Sequence, residues 1–172
     1  MAHACLETPS AWVVRWAPLA TRGPVLDVAS GAGRHARFFA QRGLEVAAVD
    51  REAHSIPGVR FVQADLEDGS PWPFVGERFG AIVVTNYLYR PLFPDLVAAL
   101  GEDGVLIYET FMIGNERFGK PSNPKFLLRP GELLEAFGAL TLVAFEQGTT
   151  PKAVVQRICV IRGDASSVRI PA

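Results

Sequence analysis

Short apolar runs alternate with stretches of helical spacing through most of the chain. After Pro9-Ser10, the segment Ala11 to Leu19 places Trp12, Val13 and Trp16 on one helical face. That spacing predicts a short helix within residues 10–20, broken by Gly23-Pro24. Val25 to Ala29 is a buried-strand run that ends in a glycine-rich turn. A helical pattern follows from Arg34 to Arg42 and stops at Gly43. Glu45 to Val49 forms the second strand, closed by Asp50, and Val59 to Gln63 the third. Ala81 to Val84 is apolar throughout, as a strand covered on both faces would be. Leu92 to Leu100 reads as a helix ended by Gly101, and Gly104 to Phe111 as a fifth strand. A helix starting at Pro130-Gly131-Glu132 runs to Phe137. Strands at Leu140 to Phe145 and Val154 to Ile161 close the pattern.

These elements predict an α/β chain: a single-domain, Rossmann-like, doubly wound sheet spanning residues 1–172. The sheet is mostly parallel. Its last two strands have no long helix between them and are expected to pair as a C-terminal antiparallel hairpin. The weakest joint is the connection between Asp50 and Val59, which has only eight residues. A parallel crossover usually needs about a dozen or more, so the helix expected there is trimmed to a turn or lost. The segment from Met112 to Arg129 has the opposite character. It is long and rich in glycine, proline and asparagine, yet it holds aromatics and charges. Loops of this length in compact domains usually serve function, and residues 112–129 are read as a lid. Phe126-Leu127-Leu128 is expected to anchor it to the core.

Composition narrows the class of function. Of the 172 residues, 49% are hydrophobic and 20% charged, enough to bury a core and too apolar for disorder. The net charge of −1 lacks the basic excess of a phosphate-backbone binder, so no nucleic-acid partner is expected. No apolar run approaches the roughly 18 residues that span a bilayer, so no membrane partner is expected. Met1 to Ser10 shows no basic-then-apolar export pattern, which favours the cytoplasm. Cys5 and Cys159 form neither a disulfide framework nor a metal spacing, and His3, His35 and His54 are scattered; no metal is expected.

The chemistry concentrates at strand ends. Asp27-Val28-Ala29-Ser30-Gly31-Ala32-Gly33 lies between a strand and a helix whose N-terminal N–H groups face the turn. Asp50 ends the next strand, where a carboxylate can accept from both hydroxyls of a ribose. Asp65 follows the third strand and can accept from the amino group of an adenine. Gly31-x-Gly33-x-x-Ala36 also fits a dinucleotide fingerprint, so a nicotinamide dinucleotide and an adenosyl amino acid both remain open. Four features favour the adenosyl amino acid: Asp27 before the turn, Asp65 after the third strand, the short chain, and the terminal hairpin.

The sequence resembles class I S-adenosylmethionine-dependent methyltransferases. The resemblance rests on Val25 to Arg34, Val49-Asp50 and Ala64-Asp65-Leu66, and it covers essentially the whole chain. Gly33-Arg34 and Gly131-Glu132-Leu133 add a likeness to compact bacterial methyltransferases of the tellurite-resistance type. The resemblance implies S-adenosylmethionine as cofactor. Gly31 and Gly33 would pack against its methionine part, and Asp27 would orient the turn. Asp50 would hold the ribose beside Arg51. Asp65 and the Leu66 backbone would meet the adenine, and Asn86 the methionine and the methyl group. Arg34 or Arg15 can pair with the cofactor carboxylate. Ala29 departs from the pattern, which commonly has glycine there; its methyl group narrows the turn.

On the acceptor side, Asn86, Tyr87 and Glu109 are the catalytic candidates. Methyl transfer is an in-line displacement that needs alignment and sometimes a base. Asn86-x-x-Tyr89 loosely resembles the signature of amino-methylating enzymes but lacks its paired prolines. Glu109 serves either as a base or as the partner of an arginine, and His35 reads as a packing histidine. The expected activity is methyl transfer to a small-molecule acceptor. The alternatives are a non-catalytic adenosyl-binding or scaffold module of the same fold, and a nicotinamide-binding protein.

Overall fold

The computed structural model describes residues 8–172, so Cys5 and His3 lie outside the described residues. Seven strands form one sheet: β1 (Val25–Val28), β2 (Val46–Asp50), β3 (Val59–Gln63), β4 (Phe79–Thr85), β5 (Leu100–Phe111), β6 (Thr141–Thr149) and β7 (Val154–Ile161). Their spatial order is β3-β2-β1-β4-β5-β7-β6. β7 runs antiparallel to both neighbours and is inserted between β5 and β6; the other paired strands are parallel. The expected hairpin is present, with β6 on the outside edge.

Alternation along the strands sorts the side chains into two layers. Val25, Ala81, Val83, Val105 and Ile107 face α1 (Ala11–Trp16) and α2 (Arg34–Gln41). Leu26, Ile82, Val84, Leu106 and Tyr108 face α3 (Phe93–Ala99) and α4 (Glu132–Ala136). α1 docks through Trp12, Val13 and Trp16, all buried, and starts at Ser10, whose hydroxyl accepts from the Trp12 N–H. On the other face, the rings of Phe93, Tyr108 and Phe137 pack together, joining α3, β5 and the end of α4.

No helix forms between β2 and β3. The shortened connection instead buries Ile56 against Gly33, where a Cβ would collide with the isoleucine side chain. The apolar content of a crossover helix is thus reduced to one side chain, and Gly33 (φ +82°) is required by that contact. The expected helix at Leu92 to Leu100 is a 3-10 turn (Arg90–Leu92) followed by α3, which passes directly into β5 without stopping at Gly101.

Candidate active site

The parallel strands end on a cleft of about 880 Å³ that opens toward the α3/α4 layer. One half is built by the loops after β1, β2 and β3, which supply Ala29, Asp50, Arg51, Asp65, Leu66 and Glu67. The other half is built by Asn86, Tyr87 and Leu88 after β4, by Thr110 and Phe111 at the end of β5, and by Lys120 and Phe126 beyond it. A second hollow of about 530 Å³ adjoins it at Arg51, Asp65 and Leu66 and continues past Trp72 and Tyr89.

The glycine turn is held from both sides. The Ser30 N–H donates to the Val49 carbonyl at 3.0 Å, and the Gly31 N–H to Asp50 Oδ2 at 2.8 Å. Asp50 Oδ1 accepts from the Glu52 N–H at 2.9 Å. Each carboxylate oxygen keeps a free acceptor site. A Cβ on Gly31 would meet nothing within 4 Å, so open space lies over the turn beside Asp50. Ala29 has φ +53° and Asn86 φ +54°, left-handed conformations at the ends of adjacent strands on the cleft. Asparagine tolerates that region; for alanine it is strained. Paired outliers of this kind concentrate where a chain must turn to meet a ligand.

Asp27 does not reach the cleft. Alternation points it at α2, where Oδ2 accepts from the Ala36 N–H at 2.9 Å, an N-terminal amide that the helix itself leaves unpaired. Burial pushes its carboxyl up to about 7, against the lowering effects of that hydrogen bond and of Arg34. It ties β1 to the N-terminal end of α2, the two elements on either side of the glycine turn. Arg34 is half-buried; burial lowers its pKa, and its guanidinium donates to the Thr8 carbonyl at 3.1 Å. Arg15 lies on the outer surface of α1, over the Trp16 ring.

Glu109 also lies away from the cleft. It shares the face of Val105 and Ile107, while Thr110 shares that of Tyr108 and presents itself to the cleft. Glu109 accepts from the Ser10 hydroxyl at 2.6 Å and pairs with Arg157. It ties α1 to β5 and β7. His35 belongs to the same polar cluster: Nε2 accepts from the Ser10 N–H at 3.0 Å, and Nδ1 lies 3.4 Å from the Thr85 hydroxyl. Burial, with Arg34 nearby, pulls its pKa down to about 3, so it is a neutral packing histidine. Tyr87 does line the cleft, but its phenol is held protonated by burial and by the negative charge of Glu67 and Asp65. It can donate a hydrogen bond but does not supply a base.

The 112–129 segment is tied at its base. Ile113 N–H donates to the Leu128 carbonyl at 2.9 Å, and Leu128 N–H to the Phe111 carbonyl at 3.0 Å. Buried Asn115 donates to the Pro121 carbonyl and accepts from the Val154 N–H, both at 3.0 Å. Leu127 and Leu128 anchor the segment in the core as expected, but Phe126 is exposed on the cleft. Arg90 clamps the far end: it donates to the Lys125 carbonyl at 3.0 Å, the Leu127 carbonyl at 2.9 Å and Glu132 Oε1 at 2.5 Å. Burial works against the Glu132 carboxylate, but Arg90 and the Arg129 N–H outweigh it and hold its pKa down.

No protein-family model matches the chain, and no curated protein matches it. Solved structures do. TehB from Haemophilus influenzae superposes with a TM-score of 0.74 at 15% identity, over 90% of this chain and 62% of that one. This chain therefore spans less than two thirds of TehB. The Burkholderia thailandensis 1,6-didemethyltoxoflavin-N1-methyltransferase, with its namesake ligand and S-adenosylhomocysteine bound, gives 0.64 at 22% identity, over 90% and 77%. Magnesium protoporphyrin IX methyltransferase from Synechocystis, with S-adenosylhomocysteine bound, gives 0.64 at 15%, over 88% and 79%. The chain has the class I methyltransferase fold. Within this fold the glycine turn, Asp50, Asp65 and Asn86 share one end of the sheet, while Asp27 and Glu109 brace it from the α1/α2 side. Thr110, Leu88 and Glu67 are cleft residues with no motif to mark them. Residue parity from Tyr108 puts Thr110 and Glu109 on opposite faces, but only the packed sheet shows which face carries the cleft.

Proposed function

We propose that this protein is an S-adenosylmethionine-dependent methyltransferase acting on a small-molecule acceptor in the cytoplasm. One observation carries the reading. A strand-end carboxylate, Asp50, holds the amide of an open glycine turn and keeps acceptor sites free, on a cleft flanked by left-handed Ala29 and Asn86. The residues fit an adenosyl amino acid. Asp50 would accept from the ribose hydroxyls and Asp65 from the adenine amino group, with the Leu66 backbone beside it. The side-chain amide of exposed Asn86, which makes no hydrogen bond among the described residues, would meet the amino-acid end. When bound, the cofactor supplies a methyl group activated on a sulfonium. The chain's own part is to hold both partners in line and exclude water, with the wall formed by Tyr87, Phe111 and Phe126. A small acceptor is favoured by the tied 112–129 segment, which walls that end of the cleft with Lys120, Pro121 and Phe126.

The test is a thermal-shift series with S-adenosylmethionine, S-adenosylhomocysteine and NADH. Both adenosyl amino acids are expected to raise the Tm in a concentration-dependent way, and NADH to leave it unchanged. A rise with NADH alone would overturn the reading in favour of a nicotinamide cofactor.

A further inference from the structure

The acceptor half of the cleft is chemically one-sided. The carboxylates that line the cleft, Asp50, Asp65 and Glu67, all come from the end of β2 and the loop after β3. Among the described residues, no carboxylate, imidazole or thiol lines the half built after β4 and β5. The groups that sequence reasoning offers as bases are engaged elsewhere: Glu109 by Ser10 and Arg157, His35 by Ser10 and Thr85. Cys159 is buried in the α1/α2 layer. What the acceptor half does present is an aromatic wall, Tyr87, Phe111 and Phe126, and one cation, Lys120. Lys120 makes no ion pair among the described residues.

We propose that the acceptor is a small planar molecule with an apolar body and an atom already ionised at neutral pH, bound against the aromatic wall with Lys120 as its charge partner. The inference rests on the cofactor reading above. The reaction then needs no protein base. The ionised atom forms the bond to the methyl carbon, and the carbon–sulfur bond breaks with its electron pair passing to sulfur. A sulfonium and an anion become two neutral products, and no proton has to leave. Surroundings of low polarity favour a step that destroys charge, which suits an aromatic wall better than a hydrated one. An acceptor that must lose a proton, such as an ammonium or a simple alcohol, would find no group here to take it.

The test is calorimetric titration of the protein saturated with S-adenosylhomocysteine, using benzoate and thiophenolate as anionic probes and benzamide and phenol as neutral probes of like shape. The anions are expected to bind at least tenfold more tightly than their neutral counterparts. Lys120→Met is expected to abolish that preference while leaving S-adenosylhomocysteine affinity unchanged; Lys120 is exposed, so the variant keeps the fold. Equal affinity for anions and neutrals, an unchanged preference in Lys120→Met, or no binding of either anion would overturn the proposal. Failure of the wild-type protein to bind S-adenosylhomocysteine is a separate result that overturns the cofactor reading instead.

Discussion

Two buried titratable residues under the glycine turn push stability in opposite directions with pH. Asp27 is raised from 3.8 to about 7, so the native state holds its proton more tightly than the unfolded chain does. Its contribution is fully present below about pH 4 and is lost as pH rises through 7, by up to roughly 4 kcal/mol. Asp27→Asn keeps an oxygen for the Ala36 amide and removes the ionisation. The variant is expected to gain on the wild type in urea unfolding as pH goes from 5 to 8; a constant difference would count against a raised carboxyl. His35 is the reverse case, lowered from 6.5 to about 3. Its contribution is present above pH 6.5 and is lost as pH falls toward 3. His35→Gln retains an acceptor for the Ser10 amide, and its stability is expected to fall less steeply across that window. Ala29 makes a simpler case. Its left-handed backbone is a strain that glycine would relieve, so Ala29→Gly is expected to stabilise the fold by about 0.5–1 kcal/mol, net of the entropy of the unfolded glycine. Equal or lower stability in chemical denaturation would mean that the turn is not strained.

At the level of elements, most strands and helices are legible because their periodicity is local, whereas the connections are not. Val59 to Gln63 is a strand within the same bounds by pattern and by structure. The loss of a helix between β2 and β3 is legible only as an unusually short connection, since its replacement, Ile56 packed on Gly33, is a contact between distant segments. The same holds for residues 112–129. Their length and composition point to function, but their ties to Val154 and Arg90 depend on β7 and on the β4 loop. Those ties fix the base of the segment as a wall of the cleft, and the Asn115 bond to the Pro121 carbonyl holds its turn beside Lys120. Arg90→Met would strand the buried Glu132 carboxylate without its main partner. It is expected to destabilise the protein by about 3 kcal/mol and to speed hydrogen exchange at Phe126 and Leu127. Exchange unchanged at those amides would mean that the clamp does not hold the wall.

Across the whole molecule, the strand order gathers the ends of β1, β2, β3, β4 and β5 on one cleft, and the function proposed here follows from that convergence. Asp50, Asp65 and Asn86 are legible as cleft-lining candidates because each ends a strand or lies within two residues of its end. Asp27 and Glu109 carry the same sequence signal, yet side-chain alternation turns them to the α1/α2 face, where they brace the site. A strand-end acid is therefore informative only once its parity is known against the packed layers. Asp50 is the residue in which turn, strand end and ligand chemistry meet, so it carries the central claim. Calorimetric titration of the wild type and of Asp50→Ala with S-adenosylhomocysteine tests it most directly. The wild type is expected to bind in the micromolar range, and the variant, with its fold intact by circular dichroism, more weakly by about 1–3 kcal/mol, roughly 5- to 150-fold. Equal affinity in the two proteins, or no binding by the wild type, would contradict the assignment.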